Sequence, residues 1–345
     1  MIDFQQLITD WYRQNKRELP WRNTKNAYHI WLSEIILQQT RVAQGTSYYI
    51  KFTEHYPTVF DLANAPENEI LNDWQGLGYY SRARNLHFAA KQIVNEFNGV
   101  LPCNYNQIRS LKGIGDYTAA AIASFAFDLP HAVVDGNVYR VLSRFFDIDK
   151  AIDTNEGKKA FSELANQLID KKNPALYNQA IMEFGALQCT PTNPNCEECP
   201  LTSKCLSFSN NTITLRPVKS KKIKIRNRYF YFLIYSNKNQ TIIERREEKD
   251  IWQQLYQFPM IETEKEIKLN EIPKLLSLNI QKSLFKISEP ITHILSHQKL
   301  ITRFLHFNSL PKKLSNNQIN IKINEIQNFP IPRLIDRYLE TTDLQ

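Results

Sequence analysis

No apolar run in the chain approaches the roughly 18 residues that cross a bilayer as a helix. Its first residues, Met1-Ile2-Asp3-Phe4-Gln5, lack the basic start and apolar centre of a secretory leader. A membrane-anchored or exported protein is therefore not expected, and the chain is assigned to the cytoplasm. Cysteine is scarce: there are five in 345 residues, and four of them crowd between Cys189 and Cys205 while Cys103 stands apart. In a reducing compartment that crowding reads as a metal or cluster site in preference to disulfides. Acid is in deficit, with 43 Lys and Arg facing 35 Asp and Glu and leaving a formal +8. Such an excess suits a polyanionic partner without identifying one. Apolar residues are present in ordinary measure, 42% against 23% charged, and the length allows two domains with a core that needs no cross-links.

Phe4, Leu7, Ile8, Trp11 and Tyr12 recur at helical spacing, so the chain opens on an amphipathic helix that Leu19-Pro20-Trp21-Arg22 breaks. A second helix is expected over 26–41. On it Glu34 has Ile30 one turn before and Leu37 and Gln38 one turn after, which puts its carboxyl on a largely apolar stripe. Buried there, it keeps its proton near neutral pH; at the edge of the stripe, it reaches water. Pro66 opens a helix that Gly76 stops, and Ser81 caps another that runs to Gly99.

A helix over 104–112 then leads into Leu111-Lys112-Gly113-Ile114-Gly115-Asp116-Tyr117-Thr118. Gly113 and Gly115 bracket a turn where positive φ is permitted and successive N–H groups are exposed at a helix start, a geometry that suits a phosphate. The small residues from Thr118 to Ser124 let another helix pack close. A helix-hairpin-helix fits this pattern, and so does the corner of any helical core. Gln75-Gly76-Leu77-Gly78-Tyr79-Tyr80-Ser81 echoes the turn, and both are expected to meet DNA, Tyr79 as a wedge and the second turn as an amide nest. Beyond it, Asp135 follows Ala132-Val133-Val134 and opens a helix over 138–146; Thr154 caps the next, and Pro174 starts one ending at Gly185.

Cys189, Cys196, Cys199 and Cys205 are separated by six, two and five residues, with Pro191, Pro194 and Pro200 keeping the segment out of helix. On spacing alone a Cys₄ set serves zinc or an iron–sulfur cluster equally. From Arg216 to Arg228 the chain is basic without one acid, which marks a boundary and offers a phosphate contact. The pattern then changes to strands: Tyr229–Tyr235 and Gln240–Arg245, joined as a hairpin.

The hairpin followed by Val133-Val134-Asp135-Gly136-Asn137 resembles the helix-hairpin-helix glycosylase superfamily. Ser33-Glu34-Ile35-Ile36-Leu37-Gln38-Gln39-Thr40 resembles the segment that carries the catalytic glutamate in adenine DNA glycosylases of the MutY type. The order of cysteine gaps, directly after Met182-Glu183-Phe184-Gly185-Ala186-Leu187-Gln188, resembles the [4Fe–4S] loop of the endonuclease III and MutY families, in which Lys204 and its neighbours meet DNA. Trp252–Pro259 and His293-Ile294-Leu295-Ser296-His297 resemble pieces of the Nudix-like domain that MutY-type enzymes append. The acidic Nudix box that binds Mg²⁺ is missing, so this part is expected to recognise and not to hydrolyse.

These resemblances imply a mainly α glycosylase region over 1–215, with a six-helix barrel module at about 23–127 and an Fe–S module from 1–22 and 128–215. A basic linker at 216–226 and an α+β Nudix-like domain at 227–345 follow. They also imply a base-excision enzyme that flips adenine opposite 8-oxoguanine or guanine out of double-stranded DNA. Glu34 would protonate N7, and Asp135, kept ionised by the helix amides, would stabilise or attack C1′ of an oxocarbenium-like sugar. Tyr117 and Asn137 would support them, Gln39 and Tyr79 would fill the gap, and Trp21, Arg22, Thr40 and Gln179 would line the pocket or touch DNA. Ser296 would contact 8-oxoguanine. Tyr117 stands where strand-cutting members carry a lysine, and without that amine no Schiff base forms, so base release without strand scission is expected. The sequence departs from the pattern at Lys112, where a proline is usual, at Asp116, where a basic residue is usual, and at Leu295, where an aromatic is usual. A monomer acting ahead of an AP endonuclease or beside a sliding clamp is expected, nucleoid-associated in a bacterium. The rival readings are a thymine or uracil mismatch glycosylase and a non-catalytic Fe–S DNA-binding protein.

Overall fold

The computed structural model describes residues 2–220, 225–276 and 284–342, so Lys221-Lys222-Ile223-Lys224 of the basic run lie outside the described residues. The chain forms two compact units, one of residues 1–64 with 85–222 and one of residues 65–84 with 223–345. Among the described residues no helix is long and apolar enough to cross a membrane.

The first unit is helical. In chain order it holds α1 (Ile2–Asn15), α2 (Ala27–Ile36), α3 (Val42–His55) and α4 (Val59–Asn64); α5 (Glu67–Asp73) belongs to the second unit, and α6 (Ser81–Phe97) starts there and continues into the first. Then come α7 (Tyr105–Ser110), α8 (Asp116–Phe127), α9 (Gly136–Phe145), α10 (Asn155–Leu168), α11 (Pro174–Leu187) and the short α12 (Leu206–Ser209). Side-chain caps fix several starts. Asn26 accepts from the amides of Tyr28 and His29, Asn104 from those of Asn106 and Gln107, and Thr154 from that of Gly157; each is worth about 1 kcal/mol. Pro174 sits in the first turn of α11, where its missing N–H costs nothing.

Ala119, Ala120, Ala121 and Ala123 of α8 are all buried, and their short side chains allow α2, α7 and α11 to approach closely. A main core forms where α1, α8, α9, α10 and α11 meet, around Ile8, Leu142, Phe161 and Phe184. Glycine is needed where α11 crosses α9: a Cβ on Gly185 would stand 2.7 Å from Asn137 Cβ and 2.9 Å from its carbonyl oxygen.

The helix expected over 26–41 is shorter than its apolar pattern. It ends at Ile36, and residues 37–40 form a turn in which Gln39 adopts φ +54° before Arg41 starts α3. Apolar periodicity runs through such a break because Leu37, half-buried on a cleft wall, keeps the apolar spacing, so it cannot mark the stop.

The second unit is built on a sheet whose main path runs β3 (Tyr256–Gln257), β2 (Gln240–Arg245), β1 (Arg226–Asn237), β7 (Gln298–Phe307), β5 (Leu284–Ile287). β4 (Met260–Thr263) also pairs with β1, β6 (Ile291–Ile294) with β7, and β8 (Gln318–Lys322) with β2. β1 and β7 are parallel over the register Arg226↔Gln298 to Tyr235↔Phe307. The β1–β2 hairpin closes at Asn237↔Gln240, with Lys238 at φ +57°. Alternation along β1 feeds two cores: Phe230, Phe232 and Ile234 pack with α13 (Arg333–Glu340) through Leu334, Ile335 and Tyr338, while Tyr231, Leu233 and Tyr235 pack with Ile272 and Leu276 on the other face. Each fully buried aromatic on this strand contributes about 2–3 kcal/mol.

The unit boundary near 222 falls inside the expected linker, but residues 65–84, expected within the helical region, group with the sheet. Polar ties hold them there: Asn72 Nδ2 donates to the Asn328 carbonyl at 2.8 Å, Tyr80 Oη to that of Ile331 at 3.3 Å and Arg84 Nη1 to that of Gln253 at 2.6 Å.

Candidate active site

An open cleft of roughly 1260 Å³ in the helical unit is lined by residues from the segment that follows α1 (Arg17 to Arg22), α2, the 37–42 turn, α8, α9 and α11. Glu34, Tyr117, Asp135, Asn137, Trp21, Arg22, Gln39, Thr40, Gln179 and Gly115 all face it. The two carboxyl groups on which the sequence reading depends therefore share one cavity.

Glu34 is buried at 7% exposure on α2. Burial pushes its pKa up to about 7; the hydrogen bond from Tyr117 opposes the rise and the nearby Asp135 charge adds to it. Tyr117 Oη donates to Glu34 Oε2 at 2.9 Å, and its own pKa lies well above the usual value because it too is buried. With Oε2 accepting from a phenol, Oε1 is the oxygen left to carry the acid proton.

Asp135 caps α9. Its Oδ1 accepts from the Val138 amide and its Oδ2 from Asn137 Nδ2, both at 2.8 Å. Burial raises its pKa above the ordinary carboxyl value, while the hydrogen bonds from Val138 and Asn137 and the charge of Arg140 hold the rise back and favour the ionised form. Asn137 is fixed in turn: Arg140 Nη2 donates to its Oδ1 at 2.9 Å, while Arg140 Nε donates to the Cys189 carbonyl at 2.7 Å.

The opposite wall contains residues the sequence reading missed. Arg22 donates from both terminal nitrogens to Glu183, at 3.0 and 2.8 Å, and Arg17 binds the same carboxylate at 2.8 and 2.6 Å. Burial acts against ionisation of Glu183, yet Arg17 and Arg22 draw its pKa down to about 2. A signal was available, since Glu183 stands between Met182 and Phe184 much as Glu34 stands on its apolar stripe. Gln38 Nε2 donates to Thr118 Oγ1 at 3.2 Å, tying the α2 turn to α8. Gln39 is exposed at the cleft rim in its left-handed conformation, a strained placement for a side chain that projects outward.

The hairpin differs from expectation at one glycine. Gly113 takes φ +80°, and a Cβ there would meet that of Asn85 at 2.7 Å, whereas Gly115 is extended at φ −96° and ψ −179°. The echoing turn instead uses two left-handed glycines, Gly76 and Gly78, so the two turns share residues but not geometry. Asp116 is paired with Arg109, which offsets its charge beside the hairpin amides. Lys204, expected to face DNA, is paired with Asp3.

In the second unit Tyr79 is 46% exposed at φ +48°, and its hydroxyl is hydrogen bonded to Ser296 Oγ. Arg82 lies 5.7 Å from the Tyr79 ring centroid. Ser296 sits in the turn between β6 and β7, which Leu295 N closes onto the Gln298 carbonyl at 2.8 Å. Two residues 217 positions apart, each singled out for DNA contact, thus stand side by side.

Cys189, Cys196, Cys199 and Cys205 line one small cavity with Val141, Phe184 and Leu201. Arg144 Nη1 reaches Cys189 Sγ at 3.5 Å and donates to the Thr190 carbonyl, while its Nη2 donates to that of Pro191. Four thiols lining one apolar cavity beside a guanidinium have the chemistry that suits a group taking thiolate ligands. Among the described residues no group of three or more His, Cys, Asp or Glu side chains stands in metal-ligating geometry.

Residues 32–167 match the HhH-GPD superfamily base excision DNA repair protein family, and residues 230–341 match the NUDIX domain family. An adenine DNA glycosylase of Buchnera aphidicola subsp. Baizongia pistaciae is 39% identical over 304 residues, covering 86% of this chain and 84% of that protein. A thermostable thymine-DNA glycosylase of known structure is 32% identical with a TM-score of 0.57, covering 60% of this chain and 95% of that one. Endonuclease III in a trapped covalent complex with DNA, at 22% identity and a TM-score of 0.53, shares the fold of the helical part. A helical HhH-GPD part and a Nudix-like part in one chain, with similarity to an adenine DNA glycosylase over most of the length of both, show that this chain belongs to the adenine DNA glycosylase family and removes adenine in base excision repair.

Proposed function

We propose that the cleft receives an adenine flipped from a pair with 8-oxoguanine or guanine, and that Glu34 and Asp135 divide the chemistry between them. The observation that carries this reading is the shared cleft, in which Tyr117 holds Glu34 and Asn137 holds Asp135. Adenine leaves poorly unless protonated, so Glu34, with its pKa near 7, delivers a proton to N7. Asp135 in its ionised form stabilises or traps the positive charge that develops at C1′, the anion being maintained by the Val138 amide and Asn137. No lysine stands at Tyr117, so the reaction ends at base release.

Trp21, Arg22 and Gln179 bound the base, and exposed Gln39 and half-buried Thr40 meet the strand beside it. The amides around Gly113 and Gly115 take a backbone phosphate. On the second unit, Tyr79 and Ser296 meet the 8-oxoguanine side, and the Nudix-like part recognises the lesion without hydrolysing it. Cys189, Cys196, Cys199 and Cys205 hold a [4Fe–4S] cluster, which when bound cross-links the loop that follows α11. The enzyme acts as a monomer in the cytoplasm, upstream of an AP endonuclease.

Single-turnover base release from duplexes carrying A opposite 8-oxoguanine, A opposite guanine and T opposite guanine tests the reading. Release is expected from the first two, fastest from the first; preferential release of thymine would overturn it.

A further inference from the structure

Arg82 lies in the first turn of α6, within the second unit, and is 8% exposed. Stability alone does not favour a guanidinium there, because the start of a helix is its positive end and loss of water penalises charge. Burial lowers the Arg82 pKa to about 10, which leaves it cationic at neutral pH. What it touches is the turn that carries Tyr79. Its Nη2 donates to the carbonyls of Leu77 at 3.3 Å and Gly78 at 3.2 Å, and Trp74 Nε1 donates to the same Gly78 carbonyl at 3.0 Å. Its guanidinium lies 5.1 Å from the Trp74 ring centroid and 5.7 Å from that of Tyr79. Trp74 is fully buried and Tyr79 is 46% exposed, so one cation joins a fixed ring to an outward one.

Tyr79 needs such a hold. Gly76 and Gly78 take φ +98° and +73°, a Cβ on Gly78 would meet nothing within 4 Å, and Tyr79 itself stands at φ +48°. Glycines bend at little cost, and a residue with a side chain stays in the left-handed region only where its surroundings keep it there. A ring ordered before DNA arrives does not have to be ordered during binding. Ser296 holds the Tyr79 hydroxyl, but Ser296 is itself assigned to the 8-oxoguanine side. Arg82 holds the ring and the turn beneath it, and does not line the catalytic cleft. We infer that Arg82 is a positioning residue that preorganises Tyr79 as the wedge: its planar fork fixes the glycine turn, and its charge fixes the ring. This rests on Tyr79 being the residue that enters the duplex.

The test is a double-mutant cycle on the full chain, read as the dissociation constant for a duplex carrying non-hydrolysable 2′-fluoroadenosine opposite guanine. Arg82→Lys keeps the charge but loses the flat fork, so a direct phosphate contact would leave affinity nearly unchanged, whereas loss of the wedge's support is expected to weaken binding roughly tenfold. Tyr79→Ala is expected to weaken it at least as much. In the Tyr79→Ala background, Arg82→Lys is expected to cost nothing further, because nothing is left to position; a merely structural role would add its loss to that of Tyr79→Ala. Should Arg82→Lys not fold, Trp74→Phe enters the same cycle: it keeps a ring beside the guanidinium and removes the indole N–H bound to Gly78, and its loss is likewise expected to disappear in the Tyr79→Ala background. Unchanged affinity in the folded single variant, or additive losses in the double variant, overturns the inference. Wild-type affinity in Tyr79→Ala alone would instead overturn the reading of Tyr79 beneath it.

Discussion

Replacing Glu34 with glutamine should disarm the enzyme and stabilise it at alkaline pH. Glu34 titrates near 7 in the folded chain against an ordinary 4.5, and burial is the main cause. A carboxyl whose folded pKa is raised contributes stability that is fully present below the unfolded pKa and is lost as pH rises toward the folded one. The loss begins near pH 4.5, grows through the neutral range and levels off above about 7. At about 1.4 kcal/mol per pH unit, it reaches roughly 3 kcal/mol. Glutamine has the same shape, keeps the acceptor for Tyr117 and never ionises, so the variant escapes this loss. Between pH 5 and pH 8.5 the wild type should lose roughly 2.5 kcal/mol relative to Glu34→Gln, a separation in melting temperature on the order of 5 °C. Calorimetry at the two pH values measures it, and single-turnover release measures the accompanying loss of activity. If the difference between the two proteins were the same at both pH values, Glu34 would not be the buried acid described here.

Tyr117→Phe removes the donor that favours ionised Glu34, so the pKa should rise further and the alkaline limb of the pH–rate profile should move up by as much as about one pH unit; an unmoved limb would detach Tyr117 from the acid. Gly185→Ala would press a methyl group against the backbone and Cβ of Asn137 at 2.7–3.0 Å. It should cost about 1–3 kcal/mol in denaturant melts and slow base release through the displaced Asn137; a variant matching the wild type in both would show that α11 yields freely.

Much of the site could be read from local residue patterns. A carboxylate at i with apolar neighbours at i−4 and i+3 put Glu34 on an apolar stripe without deciding whether its head is buried, and an aspartate before a helix start gave Asp135 as a cap; the roles of both came from the resemblance to MutY-type enzymes. The cysteine gaps and the two composition regimes are equally local. What escaped the sequence depends on distant partners. Glu183 pairs with Arg17 and Arg22 more than 160 positions away, and Tyr79 meets Ser296 217 positions away. The grouping of residues 65–84 with the sheet rests on hydrogen bonds to the carbonyls of Gln253, Asn328 and Ile331, and no periodicity within 65–84 could announce it. At Asp135 the cap is visible in sequence, whereas the burial that raises its pKa against the cap is not. Both glycines of the hairpin permit positive φ, and the hairpin uses that freedom at Gly113 and not at Gly115.

If two carboxyl groups in one cleft carry the reaction, Asp135→Asn should abolish it. Asparagine can still cap α9, so the fold and the affinity for a duplex with A opposite 8-oxoguanine should survive, while single-turnover adenine release should vanish together with the anion. Release at the wild-type rate by a protein that binds the duplex normally would contradict the claim.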